Sequence, residues 1–150
     1  MDRRAVSSDR APAALGPYSQ AIVAGGFVFC SGTVGIDPVE GVPADGIAAQ
    51  THQALQNLAA VLESAGASMD DLVKVTIFYA DVDDFAVINE IYAEHMPDPP
   101  PARSAPANVR LTQALIPLPT TPATHARPRA RRFWRSVRLP RWIERSLPAS

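Results

Sequence analysis

The chain changes character at Leu111. From Met1 to Leu111 it carries 6 Lys+Arg against 14 Asp+Glu, a net charge of −8. From Thr112 to Ser150 it carries 8 Arg, no Lys and a single glutamate, Glu144, a net charge of +7. Those 39 residues also hold 6 of the 15 prolines. Proline fixes φ and donates no backbone hydrogen bond, so a segment this rich in it supplies neither a continuous ladder nor a long helix. The folding must be done by the acidic body, and about 110 residues is an ordinary length for one domain. The expected organisation is therefore a folded body over 1–111 and an Arg/Pro-rich basic tail over 112–150.

Composition narrows the class. The chain is 47% apolar and 19% charged, as globular proteins are. It has no apolar run long enough for a spanning helix, and MDRRAVSSDRAPAALGPYSQ contains no continuous apolar block of the secretory kind. Cys30 is the single cysteine, which rules out an internal disulfide and fits a reducing compartment. The expected location is cytoplasmic.

Along the body, the run before Gly25-Gly26 reads as a loop entering a short strand, and FVFCSGTVG from Phe27 as its hairpin partner. In that second strand Phe27, Phe29 and Ser31 share one face and Val28 and Cys30 the other, so both faces call for cover. Ile47, Thr51, Leu55, Leu58 and Leu62 recur at helical spacing, predicting a helix over 47–63 with Asp45 as N-cap and Gly66 as its stop. Leu72–Ala80 is rich in β-formers. Asp81 can cap a second helix over 82–95 whose apolar stripe is Phe85, Ile88, Tyr92 and Met96. ARSAPANVRL then reads as a fourth strand, with Pro106 forcing a bulge or an edge position.

The order β-β-α-β-α-β predicts an α+β fold with two helices packed on one sheet face. The other sheet face is partly apolar, and no further helix covers it. A second subunit is the economical cover, which predicts an oligomer.

Several residues invite chemistry. His52, His95 and His125 lie far apart in no ligand-spaced motif, so no metal site is expected. No phosphate-cradling glycine motif and no GxSxG element is present. Cys30 sits in an apolar strand without a basic neighbour in sequence, which favours an inert thiol over a nucleophile. Asn89 borders the stripe of the second helix, either as a fold-internal amide or as a site residue. Tyr18 in GPYSQ and Ser31 in CSG stand beside glycines and read equally as turn furniture or pocket lining. Arg103 follows the stiff run Pro99-Pro100-Pro101 and is either a solvated charge or a fixed anchor for an anion.

Taken together, GPYSQAI, FCSGTVGIDP, the block from Gln50 to Tyr92 and PPARSAPANVRL resemble the RidA family in order and spacing over about residues 11–111. The resemblance implies a chorismate-mutase-like α+β subunit, assembled as a homotrimer with ligand clefts between subunits. It implies hydrolysis of reactive enamine/imine intermediates of the 2-aminoacrylate and 2-iminobutanoate type to 2-keto acids and ammonia, without a cofactor. It matches Arg103 to the family's carboxylate-binding arginine, and Tyr18, Ser31 and Asn89 to its other site positions, so the implied catalytic residues are Arg103, Tyr18, Ser31 and Asn89, with Arg103 and Ser31 holding the substrate. A non-catalytic small-ligand-binding protein of the same fold is the alternative.

The resemblance stops where the charge changes sign. The family adds a last alternating strand with a glutamate that activates water. Here Pro117 and Pro119 interrupt ALIPLP, and Glu144 falls too late to match. That final strand is expected to be replaced. The tail reads as a change of reading frame, as a basic extension for nucleic acid or an anionic membrane surface, or as disorder.

Overall fold

The computed structural model describes residues 2–109, and the expected tail and the replaced last strand lie outside them. Within this span the order is β1 (Arg3–Val6), β2 (Ala21–Ala24), β3 (Phe27–Cys30), α1 (Gly46–Ala65), β4 (Lys74–Thr76), α2 (Phe85–His95) and β5 (Ala102–Ser104), with 3-10 turns at Met69–Asp71 and Val82–Asp84. The α+β class stands. The strands form two groups: an antiparallel β1-β2-β3 sheet and a parallel β4-β5 pair.

The hairpin turns on Gly25 and Gly26, at φ 58° and 80°. Two consecutive positive φ values make the tight turn whose twist suits a hairpin, and glycine adopts them without strain. Register then sorts the side chains. Ala21 faces Cys30 and Val23 faces Val28, while Ile22 faces Phe29 and Ala24 faces Phe27. The first set joins Val6, Ala11, Ala60 and Val61 in a core beneath α1. The second set makes the opposite sheet face, where Phe27 and Phe29 remain 58% and 61% exposed. Within one subunit the expected cover on both faces of β3 exists on one face only.

The additional strand, β1, carries no sequence signal because it is four residues long and half of it is arginine. Its backbone pairs with β2 from Arg3↔Ala24 to Val6↔Ala21, and three of its four residues are exposed. Charged side chains on an outer strand discourage pairing with other chains.

α1 runs one residue earlier and two later than its apolar repeat predicts. Gly66 ends it at φ 85°, its N–H reaching the carbonyls of Glu63 and Leu62. Asp45 occupies the N-cap position in extended conformation, but its side chain accepts no capping bond, contrary to expectation. α1 serves both halves of the body. Ala60 and Val61 face the sheet, while Leu55 packs with Ile91 and Tyr92 of α2. Each such apolar side chain contributes about 1.5–3 kcal/mol when fully buried.

Asp81 does cap the second helical segment. Its Oδ1 accepts from the Asp83 N–H at 3.0 Å, and a 3-10 turn leads into α2. β4 is shorter than the β-rich run Leu72–Ala80 predicts, three residues instead of nine. Its parallel partner β5 lies between Pro101 and Pro106, and prolines supply no ladder donors. Single backbone bonds continue the contact beyond the ladder, Ile77 N–H to the Ser104 carbonyl and Val109 N–H to that of Tyr79. Among the described residues no helix is long and apolar enough to cross a membrane.

Candidate active site

The four residues singled out from sequence fall into two groups. Tyr18 and Ser31 line one cleft of about 390 Å³, with Leu15, Gln20, Thr33 and Ile36 among its other walls. Arg103 and Asn89 are not among its lining residues; they belong to β5 and α2.

The cleft is built by short polar bonds to backbone. Ser31 Oγ donates to the Ser19 carbonyl at 2.7 Å, and its N–H donates to the Gln20 carbonyl. The Gln20 amide accepts from the Ser8 N–H and donates to the carbonyls of Ser8, Ala11 and Pro12. The Tyr18 ring stands half-exposed, with its hydroxyl accepting from the Leu15 N–H at 3.2 Å. The far wall, Thr33 to Ile36, is tied to α1. Asn57 is fully buried, and its Nδ2 donates to the carbonyls of Val34 and Ile36 at 2.8 and 2.9 Å. Gly35 lies so close to Gln50 that a Cβ there would sit 2.4 Å from the Gln50 carbonyl oxygen. Neither Asn57 nor Gly35 stood out in the sequence, because both lie in stretches whose apolar pattern alone explains them.

The second group is built around a cation. The parallel register sets Arg103 opposite Val75. Its guanidinium carbon lies 4.8 Å from the Tyr92 ring centroid and 5.8 Å from that of Phe85. A cation over aromatic faces gains about 0.5–2 kcal/mol, and the rings restrict its rotamers. Among the described residues, the guanidinium makes no ion pair and donates no hydrogen bond. Tyr92 deepens the polarity of the spot. Its hydroxyl is buried with no partner among the described residues, and burial pushes its pKa up while the charge of Arg103 opposes that shift. Asn89, between Phe85 and Tyr92 on α2, is exposed rather than bonded within the fold. Among the described residues, this spot therefore holds a half-buried cation with free donors, an exposed amide and a buried phenol without a partner, groups that can all hydrogen-bond an anion.

Cys30 is half-buried and burial pushes its thiol pKa up, which fits an inert thiol. Among the described residues no group of three or more His, Cys, Asp or Glu is arranged to hold a metal ion.

A small α+β domain with a cleft beside its antiparallel sheet and an arginine stacked on the rings of its second helix is the class the fold defines. The family model described as Endoribonuclease L-PSP matches residues 8–116. A RutC family protein of Pyrococcus horikoshii is 44% identical over 115 residues, 76% of this chain and 91% of that protein. Human 2-iminobutanoate/2-iminopropanoate deaminase is 40% identical over 104 residues, 69% of this chain and 76% of the enzyme. The crystal structure of RidA from an Antarctic Psychrobacter has 41% identity and a TM-score of 0.67, covering 68% of this chain and 83% of that one. The crystal structure of Escherichia coli TdcF with bound serine has 35% identity and a TM-score of 0.69, covering 75% and 91%. The chain belongs to the Endoribonuclease L-PSP family, the RidA family.

Proposed function

We propose that the protein hydrolyses small 2-imino and 2-enamino acids to 2-keto acids and ammonia. The observation that carries this reading is Arg103, resting against the rings of Tyr92 and Phe85 with its donors unspent among the described residues. A planar guanidinium offers two parallel N–H donors to a carboxylate, and bonds to charged groups contribute about 1.5–3 kcal/mol each. Relatives named for imine deamination support the reaction class, and the serine bound in the E. coli relative's structure is an acid of the expected size.

The chemistry asks little of the protein beyond placement. Water adds through oxygen to the imine carbon, and the C=N electron pair moves to nitrogen and takes up a proton. The carbinolamine then expels ammonia as the C=O bond forms. An enamine first gains a proton at carbon to become the imine. Arg103 fixes the carboxylate, while Tyr18, Ser31 and Asn89 shape the pocket and order the water. No cofactor takes part.

The two groups of site residues meet, in this reading, across the boundary between copies in a homotrimer. The exposed face bearing Phe27 and Phe29 supplies the apolar surface for that contact. We place the functional unit at 1–111 and give the 112–150 tail no part in the chemistry; the reaction belongs to a cytoplasmic protein. Despite the family's description, a ribonuclease reading is disfavoured by the body's net charge of −8, which repels a phosphate backbone.

The test is hydrolysis of 2-iminobutanoate, generated in place, by the parent, Arg103→Ala and Arg103→Lys. Loss in the alanine variant with partial retention in lysine is expected. Parental activity in Arg103→Ala overturns the assignment. Binding of small carboxylic acids without ammonia release by the parent would favour the non-catalytic alternative.

A further inference from the structure

Although His52 and His95 lie 43 residues apart, the packing of α1 against α2 brings His52 Nδ1 to 3.0 Å from His95 Nε2. Their rings meet edge-on, with centroids 5.2 Å apart and planes inclined by 61°. We propose that this pair is a binding site for a divalent transition-metal ion of the Cu2+ or Ni2+ type, joining the two helices.

Three features point to a cation there. The first is the nitrogen spacing. With metal–nitrogen bonds of about 2.0–2.1 Å, two nitrogens 3.0 Å apart subtend roughly 90–97° at the ion. That is the angle between neighbouring ligands of a tetragonal or octahedral ion, whereas a tetrahedral Zn2+ site needs nitrogens about 3.3–3.4 Å apart. Imidazole is also a ligand that Cu2+ and Ni2+ accept well. Without an ion the two nitrogens share a hydrogen bond; an ion replaces it when the donor ring moves its proton to its other nitrogen and both rings rotate so that their lone pairs meet the metal.

The second feature is Glu94. Its Oε2 lies 3.9 Å from His52 Nε2, the nitrogen left over when Nδ1 ligates. At that distance the carboxylate is a charged neighbour and not a hydrogen-bond partner, and its negative charge favours a cation on the ring pair. The third is the helix end. His95 is the last residue of α2, where the aligned peptide dipoles favour positive charge. The site is open to solvent, since the His52 side chain is 41% exposed, so water can fill the remaining coordination positions. None of these residues belongs to the proposed deaminase site.

The experiment uses the full, untagged and metal-stripped chain with Cu2+ or Ni2+ added up to one ion per chain. Equilibrium dialysis reads affinity, and electron paramagnetic resonance of the Cu2+ form reads its ligands. One ion per chain and two-nitrogen ligation are expected. His52→Ala and His95→Ala should each weaken binding by about tenfold or more and remove the two-nitrogen signature, while Glu94→Gln weakens it by about tenfold or less with both nitrogens kept. His125→Ala, which tests the remaining histidine, should bind as the parent does. Imine hydrolysis by His52→Ala should stay at the parental rate, which also reports that the variant is folded. Absence of stoichiometric binding, or parental binding in His52→Ala and His95→Ala, overturns the proposal.

Discussion

The two halves of the body on either side of α1 use their polar groups in opposite ways. On the sheet side Ser31 and Gln20 spend their hydrogen bonds on nearby backbone carbonyls, and Asn57 spends its own on the carbonyls of Val34 and Ile36. That side is a finished wall. On the α2 side Arg103 rests on rings, Tyr92 keeps a buried hydroxyl without a partner among the described residues, and Asn89 faces out. Among the described residues, that side leaves its polar groups unspent. A finished wall and an unspent cation in different parts of one chain are the arrangement that the proposed cleft between copies would use.

The largest effect should come from the α2 side. Arg103→Ala removes two charge-assisted bonds of about 1.5–3 kcal/mol each, so kcat/KM for 2-iminobutanoate should fall about 10²–10⁴-fold. A mixing experiment sharpens the comparison. When Arg103→Ala is unfolded and refolded together with a Tyr18→Ala/Ser31→Ala variant, sites spanning copies regain both intact groups in some assemblies, and activity above either parent variant returns. Sites confined to one chain regain nothing.

The open sheet face should yield the next largest effect. Phe29→Glu forfeits about 1.5–3 kcal/mol of apolar burial per contact and places a carboxylate in it, so assembly should weaken about 10–100-fold or more. Sedimentation velocity at falling concentration checks this. An unchanged assembly would show that Phe27 and Phe29 face solvent in the complete protein, and the between-copy cleft would then need another surface.

How far these two halves could be read in advance differs for the same physical reason. α1 and α2 are visible because a helix buries every third or fourth residue, and Leu55, Leu62, Ile88 and Tyr92 keep that spacing. The Gly25-Gly26 hairpin is visible because positive φ selects glycine. β1 is not, since four residues with two arginines resemble a loop until β2 supplies their partners. The cation on its rings depends on a parallel register, Val75↔Arg103, which no local pattern encodes. The same holds for Asn57, whose role depends on a loop 21 to 23 residues away, and for His52 and His95. Motif resemblance singled out Arg103, Tyr18, Ser31 and Asn89, but periodicity alone left each with an ordinary structural reading beside the functional one.

The wall side should show its weight in stability rather than in substrate binding. Asn57→Ala leaves the Val34 and Ile36 carbonyls without their donor and the Gln53 amide without its acceptor. The cost is about 1–3 kcal/mol, or roughly 5–20 °C in melting temperature for a domain of this size. If the melting temperature holds while kcat/KM collapses, the wall is a working part of the site and not a scaffold for it.

The smallest expected effect is a pH dependence on the same side. Asp37 follows cleft residue Ile36, and its Oδ1 accepts from the N–H groups of Val39 and Glu40 at 2.7 and 2.9 Å. Those two bonds, that to Glu40 foremost, hold the carboxyl pKa below its ordinary value. A carboxyl with a lowered folded pKa binds a proton more readily in the unfolded chain. Its stabilisation is therefore fully present above the unfolded value of about 3.9 and is lost as pH falls through the folded one. Asp37→Asn keeps an oxygen acceptor but has no proton to take up. Thermal melts from neutral pH downward should show the parent losing stability more steeply than Asp37→Asn below about pH 4. Parallel curves would mean that the turn after Ile36 is held by Gly41, at φ 70°, and by the backbone bonds from Gly41 N–H to the Asp37 carbonyl and from Asp37 N–H to the Val42 carbonyl, so that the finished side owes nothing to charge.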